Sequence, residues 1–156
     1  MYTSIVVPID LSEESSWRKS LPSAIAMART FDTNLHVITV VPDFGRSIVG
    51  GFFPEGYEAQ ALEKTSEMLK EFLGQNVPED IACKGHVAHG IIYEEINKAA
   101  DKLGCDLIVL ASHRPELKDY LLGPNAARVV RHARLLGIYQ PSLVTMGEAA
   151  IALLKG

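Results

Sequence analysis

Four short segments of this chain bring together side chains that could do chemistry, and each follows directly on an apolar run. Pro8, Ile9 and Asp10, with Ser12 close behind, offer a carboxylate beside a hydroxyl. Val41 to Asp43 and Ala88 to Gly90 add a carboxylate and an imidazole, and Ala111-Ser112-His113-Arg114 adds a hydroxyl, an imidazole and a guanidinium. A guanidinium pairs well with phosphate. Further on, Gly123-Pro124-Asn125-Ala126 reads as a turn that opens a helix, where backbone N–H groups and the positive end of the helix dipole suit an anion. Bland readings stand beside these. Glycine before a helix is commonly plain turn chemistry, Asp10 is equally suited to cap the first helix, His113 fits a solvated loop, and His132 near a helix end fits dipole-compatible packing. There is no P-loop signature and no nucleophile–base pair. Asp10 and Asp119 are the metal-ligand candidates, and nothing in the sequence sets their separation.

These segments need a scaffold, and the patterning supplies one. Ser4 to Ile9 is a short β-branched run of the kind a strand buried on both faces requires. Trp17, Leu21, Ala24, Ile25 and Ala28 then recur at helical spacing to about Phe31, and Leu35 to Val41 reads as a second strand. A helix is expected from about Glu58 to Leu73, a strand over Ile81 to Val87, a helix over Ile91 to Leu103, and a strand over Leu107 to Ala111. A fourth helix opens at Gly123. Strands alternating with helices imply a parallel sheet covered on both faces. In such a sheet ligands bind outside the carboxyl ends of the strands, where strand order reverses. Those ends are where the four segments lie. The connection from Pro42 to Tyr57, with four glycines and exposed-looking Phe52 and Phe53, is long enough to be functional.

With 156 residues, the chain fits one domain spanning 1–156. A net charge of −4 argues against nucleic acid, which calls for a basic surface. Arg128 to Arg134 reads as a solvated helix face. Cys83 and Cys105 imply neither a disulfide framework nor a zinc site. With no leader-like start and no apolar stretch of about 18 residues, the expectation is a cytoplasmic protein without membrane insertion.

Taken together, three runs carry a resemblance. Val7-Pro8-Ile9-Asp10-Leu11-Ser12 resembles the opening strand and turn of universal stress proteins. Asp106-Leu107-Ile108-Val109-Leu110-Ala111-Ser112-His113 resembles their fourth strand and the start of their phosphate loop. Leu121-Leu122-Gly123, followed by Asn125 through Ala133, resembles the helix that closes that loop. The likeness spans residues 2 to 133 in order. It implies an open parallel five-stranded sheet, or four strands plus an atypical edge, flanked by helices on both faces in the manner of adenine nucleotide alpha hydrolases. It also implies a stress-response protein that binds ATP or another adenine nucleotide, with Mg2+ as a possible companion, and a homodimer. The family's phosphate loop carries Gly, two residues, Gly, nine residues, then Gly and Ser or Thr. Here Ala111 and Arg114 stand for the first two glycines, the spacer is one residue shorter, and Pro124 follows Gly123. The run Ala111 to Pro115 resembles a subgroup that still binds nucleotide, although Pro124 removes a hydroxyl and a backbone donor.

By this resemblance Pro8, Ile9 and Asp10 lie near the base or ribose, Val41 meets the adenine edge and Ala111 lies beside the adenosine. Ser112, His113 and Arg114 line the way to the phosphates, and Gly123, Asn125 and Ala126 supply turn donors. Two alternatives remain open: an interaction or dimerisation module without nucleotide, and a slow ATPase. Residues 134–156 depart from the family's ending. Leu143 to Met146 could form a short edge strand after an insertion, Gly147 to Leu154 reads as weakly helical, and an altered reading frame or a partner-docking segment are further readings. Family dimers commonly pair through the fifth strand, so the expected dimer rests on this segment.

Overall fold

In the computed structural model, residues 2–43, 56–112, 123–132, 136–141 and 150–152 are described. The strands are β1 (Ser4–Pro8), β2 (Asn34–Pro42), β3 (Cys83–Gly90), β4 (Leu107–Ser112), β5 (Leu136–Pro141) and β6 (Ala150–Ala152). The helices are α1 (Ser20–Phe31), α2 (Tyr57–Asn76), α3 (Ile92–Lys102) and α4 (Gly123–His132). They form one sheet in the order β3-β2-β1-β4-β5-β6. The first five strands run parallel, and β6 is antiparallel to β5. No described helix is long and apolar enough to cross a membrane.

Alternation along the strands decides which helix covers which face. Ile5, Val7 and Ile9 on β1, Leu35 and Val37 on β2, and Leu107 and Val109 on β4 form one core with Leu21, Ala24, Ile25 and Ala28 of α1 and Leu69 of α2. The intervening residues Val6, Ile38, Val40, Ile108 and Leu110 form a second core with Ile96 and Ala100 of α3 and Val129 of α4. Because both faces are buried, the strands read as continuous apolar runs rather than as an alternation of apolar and polar residues. Chain order reverses between β1 and β4, whose pairing runs through Ile5↔Leu107 and Val6↔Ile108, whereas β1 stays paired with β2 as far as Pro8↔Ile38.

Three expectations change. Asp10 does not cap the first helix: a 3₁₀ turn over Glu14–Ser16 intervenes, and α1 begins ten residues later at Ser20, with Lys19 at its cap position. The fifth parallel strand is present, but it is Leu136–Pro141. It pairs from Leu107↔Leu136 to Ser112↔Pro141, so its register is set by the full length of β4. Leu143 to Met146 lie outside the described residues. Within the stretch expected to be weakly helical, Ala150–Ala152 instead form β6 against Gly137 to Tyr139. An unpaired sheet edge costs the backbone its hydrogen bonds, and a strand satisfies them where a helix would not.

Candidate functional site

The carboxyl end of β1 is shaped by a hydroxyl. Ile9 N–H still donates to the Ile38 carbonyl at 2.8 Å. At Asp10 the chain leaves the sheet, and its N–H turns to Ser16 Oγ at 2.8 Å. The same hydroxyl lies 2.7 Å from the Glu13 carbonyl and 3.0 Å from that of Asp10, between which its single proton is shared. Ser16 is buried, 7% exposed, and has neighbours at the required distance only because the 3₁₀ turn folds back over Asp10. The Asp10 side chain, itself 8% exposed, accepts at Oδ1 from Ser12 N–H at 3.0 Å and from the Ser12 hydroxyl at 2.6 Å. Its Oδ2 has no hydrogen bond from a described residue.

Asp10 borders a hollow at this end of the sheet, lined also by Pro8, Ile9, Ile38, Val40, Ile92 and Ile96. The hollow therefore sets one carboxylate against apolar walls. Its enclosed volume is only about 10 Å³, room for about one water molecule, so the hollow is a shallow dent against which a larger ligand would rest an edge. Ile92 and Ile96 come from the start of α3, which begins at this end because Gly90, at φ +143°, lets the chain turn sharply out of β3. A Cβ at Gly90 would lie 3.1 Å from Glu95 Cγ.

The structure brings Pro8, Ile9 and Asp10 together in this hollow. Val41 is not among its lining residues. It lies opposite His89 in the β2–β3 register, and its neighbour Val40 lines the hollow instead, because Ile38 and Val40 point to the α3 side. Ala111 is buried near the end of β4 and Ser112 is the last residue of that strand. Gly123, Asn125 and Ala126 lie in the first turn of α4, whose backbone also accommodates Pro124. His113, Arg114 and Asp119 lie outside the described residues, as does the stretch 44–55. The lining residues not singled out from sequence are Ile38, Val40, Ile92 and Ile96. Their periodicity marks them as buried, but does not say that they border a hollow.

Thiol chemistry finds no support here: burial pushes the Cys83 thiol up to about 11 and that of Cys105 above its ordinary value. Among the described residues no three of His, Cys, Asp and Glu converge where a metal ion could sit. At the carboxyl rim of β3, His89 Nδ1 lies 3.0 Å from Glu58 Oε1 at the start of α2.

Comparison with known proteins adds to this geometry. The model of the universal stress protein family matches residues 1–135. Universal stress protein G of Shigella flexneri is 30% identical over 141 residues, covering 86% of this chain and 96% of that protein. Among solved structures, universal stress protein UspA from Lactobacillus plantarum superposes with a TM-score of 0.67 at 24% identity, over 89% of this chain and 97% of that one. The universal stress protein from Archaeoglobus fulgidus in complex with dAMP gives a TM-score of 0.58 at 19% identity, over 88% and 97%.

Proposed function

The chain belongs to the universal stress protein family, and from that membership we propose that it is a stress-response protein holding an adenine nucleotide, ATP foremost, at the carboxyl ends of its parallel strands. The observation that carries this reading is the buried Asp10 carboxylate, whose Oδ2 is left without a described partner beside an apolar hollow. A carboxylate accepts from a ribose hydroxyl or an exocyclic amine, and the isoleucine and valine walls suit the faces of a purine. Pro8, Ile9, Asp10 and Val41 serve the nucleoside in this proposal, with Ala111 and Ser112 beside it. His113 and Arg114 serve the phosphates, together with the first turn of α4 at Gly123, Asn125 and Ala126. The dAMP complex of the Archaeoglobus fulgidus relative supports an adenine nucleotide as the ligand class.

Isothermal titration of the full chain with ATP, with and without Mg2+, tests the reading, alongside mass spectrometry of nucleotide released on denaturing the purified protein. Saturable binding that Asp10→Ala weakens is expected. A wild-type chain that neither carries nor binds adenine nucleotide refutes the proposal.

A second reading, an interaction module without nucleotide, is favoured by Pro124, which puts a residue with no N–H into the turn where phosphate donors are needed. The same titration separates the two, and turnover of ATP above background would indicate a slow ATPase. We also propose a cytoplasmic homodimer. Since β6 covers β5 at Gly137 to Tyr139, two sheets can join through that edge only if β6 moves aside.

A further inference from the structure

On the face of the sheet covered by α3, two imidazoles meet almost head-on. His36 of β2 and His86 of β3 place Nδ1 and Nε2 2.9 Å apart, with ring centroids 5.1 Å apart and ring planes inclined by 44°. They are diagonal neighbours: His36 lies opposite Lys84 and His86 opposite Ile38, so all three side chains share one face. Both rings are only partly buried, which leaves them accessible to solutes. The β2–β3 ladder, continuous from Leu35↔Cys83 to Pro42↔Gly90, holds the backbones beneath them.

We infer that His36 and His86 form a two-imidazole site for a divalent transition-metal ion that favours square-planar or tetragonal coordination, Ni2+ or Cu2+, with solvent completing the coordination shell. The separation is compatible with that geometry. At a metal–nitrogen distance of about 2.0 Å, neighbouring ligands at 90° lie about 2.8 Å apart, whereas tetrahedral ligands lie about 3.3 Å apart. The hydrogen-bonded 2.9 Å lies nearer the first value, and the rings must rotate to turn both lone pairs toward one ion. In the neutral pair one ring donates its N–H to the other. On binding, that ring takes its proton on its other nitrogen, so both present lone pairs with no net release of protons. Burial, followed by the charge of Lys84, lowers the basicity of His86. Burial, then His86 and Lys84, lowers that of His36. Both imidazoles are thus neutral at neutral pH, as metal ligation requires. Lys84 is the repulsive charge that the ion must tolerate on this face. Neither His36 nor His86 lines the hollow, whose nearest β2 residue, Ile38, is about 7 Å along the strand from His36.

The test is calorimetric titration of NiCl2 into the full chain, with His36→Ala, His86→Ala and His89→Ala as variants, and NMR of the wild-type imidazole resonances during the titration. One ion per chain is expected, with His36 and His86 the imidazoles perturbed. Losing an outer-shell partner already costs about tenfold in affinity, so His36→Ala and His86→Ala should each weaken binding at least that much, and His89→Ala should leave it unchanged. Absence of saturable binding, unchanged affinity in either of the first two variants, or perturbation confined to other histidines overturns the site. The wild-type NMR decides the matter even if a variant fails to fold.

Discussion

Replacing Ser16 with alanine isolates what one buried hydroxyl does for the β1 turn. Three backbone groups lie within its reach, but they do not all suffer from its loss. The Glu13 carbonyl still accepts from Ser16 N–H at 3.0 Å, and the Asp10 carbonyl still accepts from Glu13 N–H at 3.0 Å. The Asp10 N–H has Ser16 Oγ as its partner, and at a residue 8% exposed it is left without an acceptor. An unsatisfied buried donor costs about 1 to 3 kcal/mol. With roughly 2 to 4 °C per kcal/mol for a chain of this size, Ser16→Ala should lower the melting temperature by about 2 to 12 °C and shift the urea midpoint without changing the slope. Ser12→Ala is the control: its backbone N–H still donates to Asp10, Ser12 is exposed so that water can replace the hydroxyl's bond, and the loss should cost less than about 1 kcal/mol. Urea unfolding followed by circular dichroism measures both. If Ser16→Ala costs no more than Ser12→Ala, the hydroxyl does not hold the turn. Under the proposed function ATP affinity should also fall in Ser16→Ala at temperatures where the variant is fully folded, because Asp10 is no longer pinned.

Gly85 gives β3 room to lie beneath α2. A Cβ there would sit 2.8 Å from Leu73 Cδ1 and 3.0 Å from Leu69 Cδ2, so Gly85→Val should cost on the order of 1 to 3 kcal/mol in urea unfolding through overpacking. Asp106 ties the start of β1 to β4: its Oδ2 accepts from Thr3 N–H at 2.9 Å and from the Thr3 hydroxyl at 3.0 Å, and its Oδ1 accepts from Ser4 N–H at 3.2 Å. Burial pushes this carboxyl up, but the hydrogen bonds from Thr3 and Ser4 together outweigh it and hold the group below its ordinary value. A carboxyl lowered in the folded state stabilises above its unfolded pKa near 4 and loses that contribution as pH falls through the folded value. Asp106→Asn should therefore be less stable by about 1 kcal/mol at pH 7, with the gap closing below about pH 4 in urea titrations. Gly123→Val should weaken ATP binding, since a branched side chain at the opening of α4 obstructs backbone approach to phosphate; equal affinity by calorimetry would remove that turn from the proposed site.

The alternating elements, their order and the family were determined by local sequence. Runs such as Ser4 to Ile9 and Leu107 to Ala111 have few conformations that bury so many β-branched side chains, and the helical stripes between them are read over a few turns. That Pro8, Ile9 and Asp10 lie together at the carboxyl rim was legible because a parallel sheet puts its strand ends on one rim. What tertiary structure decided depends on partners distant in sequence. Asp10 looks like a helix cap until the 3₁₀ turn brings the Ser16 hydroxyl to its N–H. Val40 rather than Val41 meets the hollow because the β2 register and the covering α3 choose the face. The fifth strand lies at Leu136–Pro141 because β4 offers an edge of matching length, although glycine and proline make that segment a poor strand by propensity. His36 and His86 are fifty residues apart in the chain, and only the β2–β3 pairing sets their nitrogens at bonding distance. Propensity acts over a few neighbouring residues, whereas strand pairing joins distant ones through backbone hydrogen bonds, and in this protein the second determines where the polar groups meet.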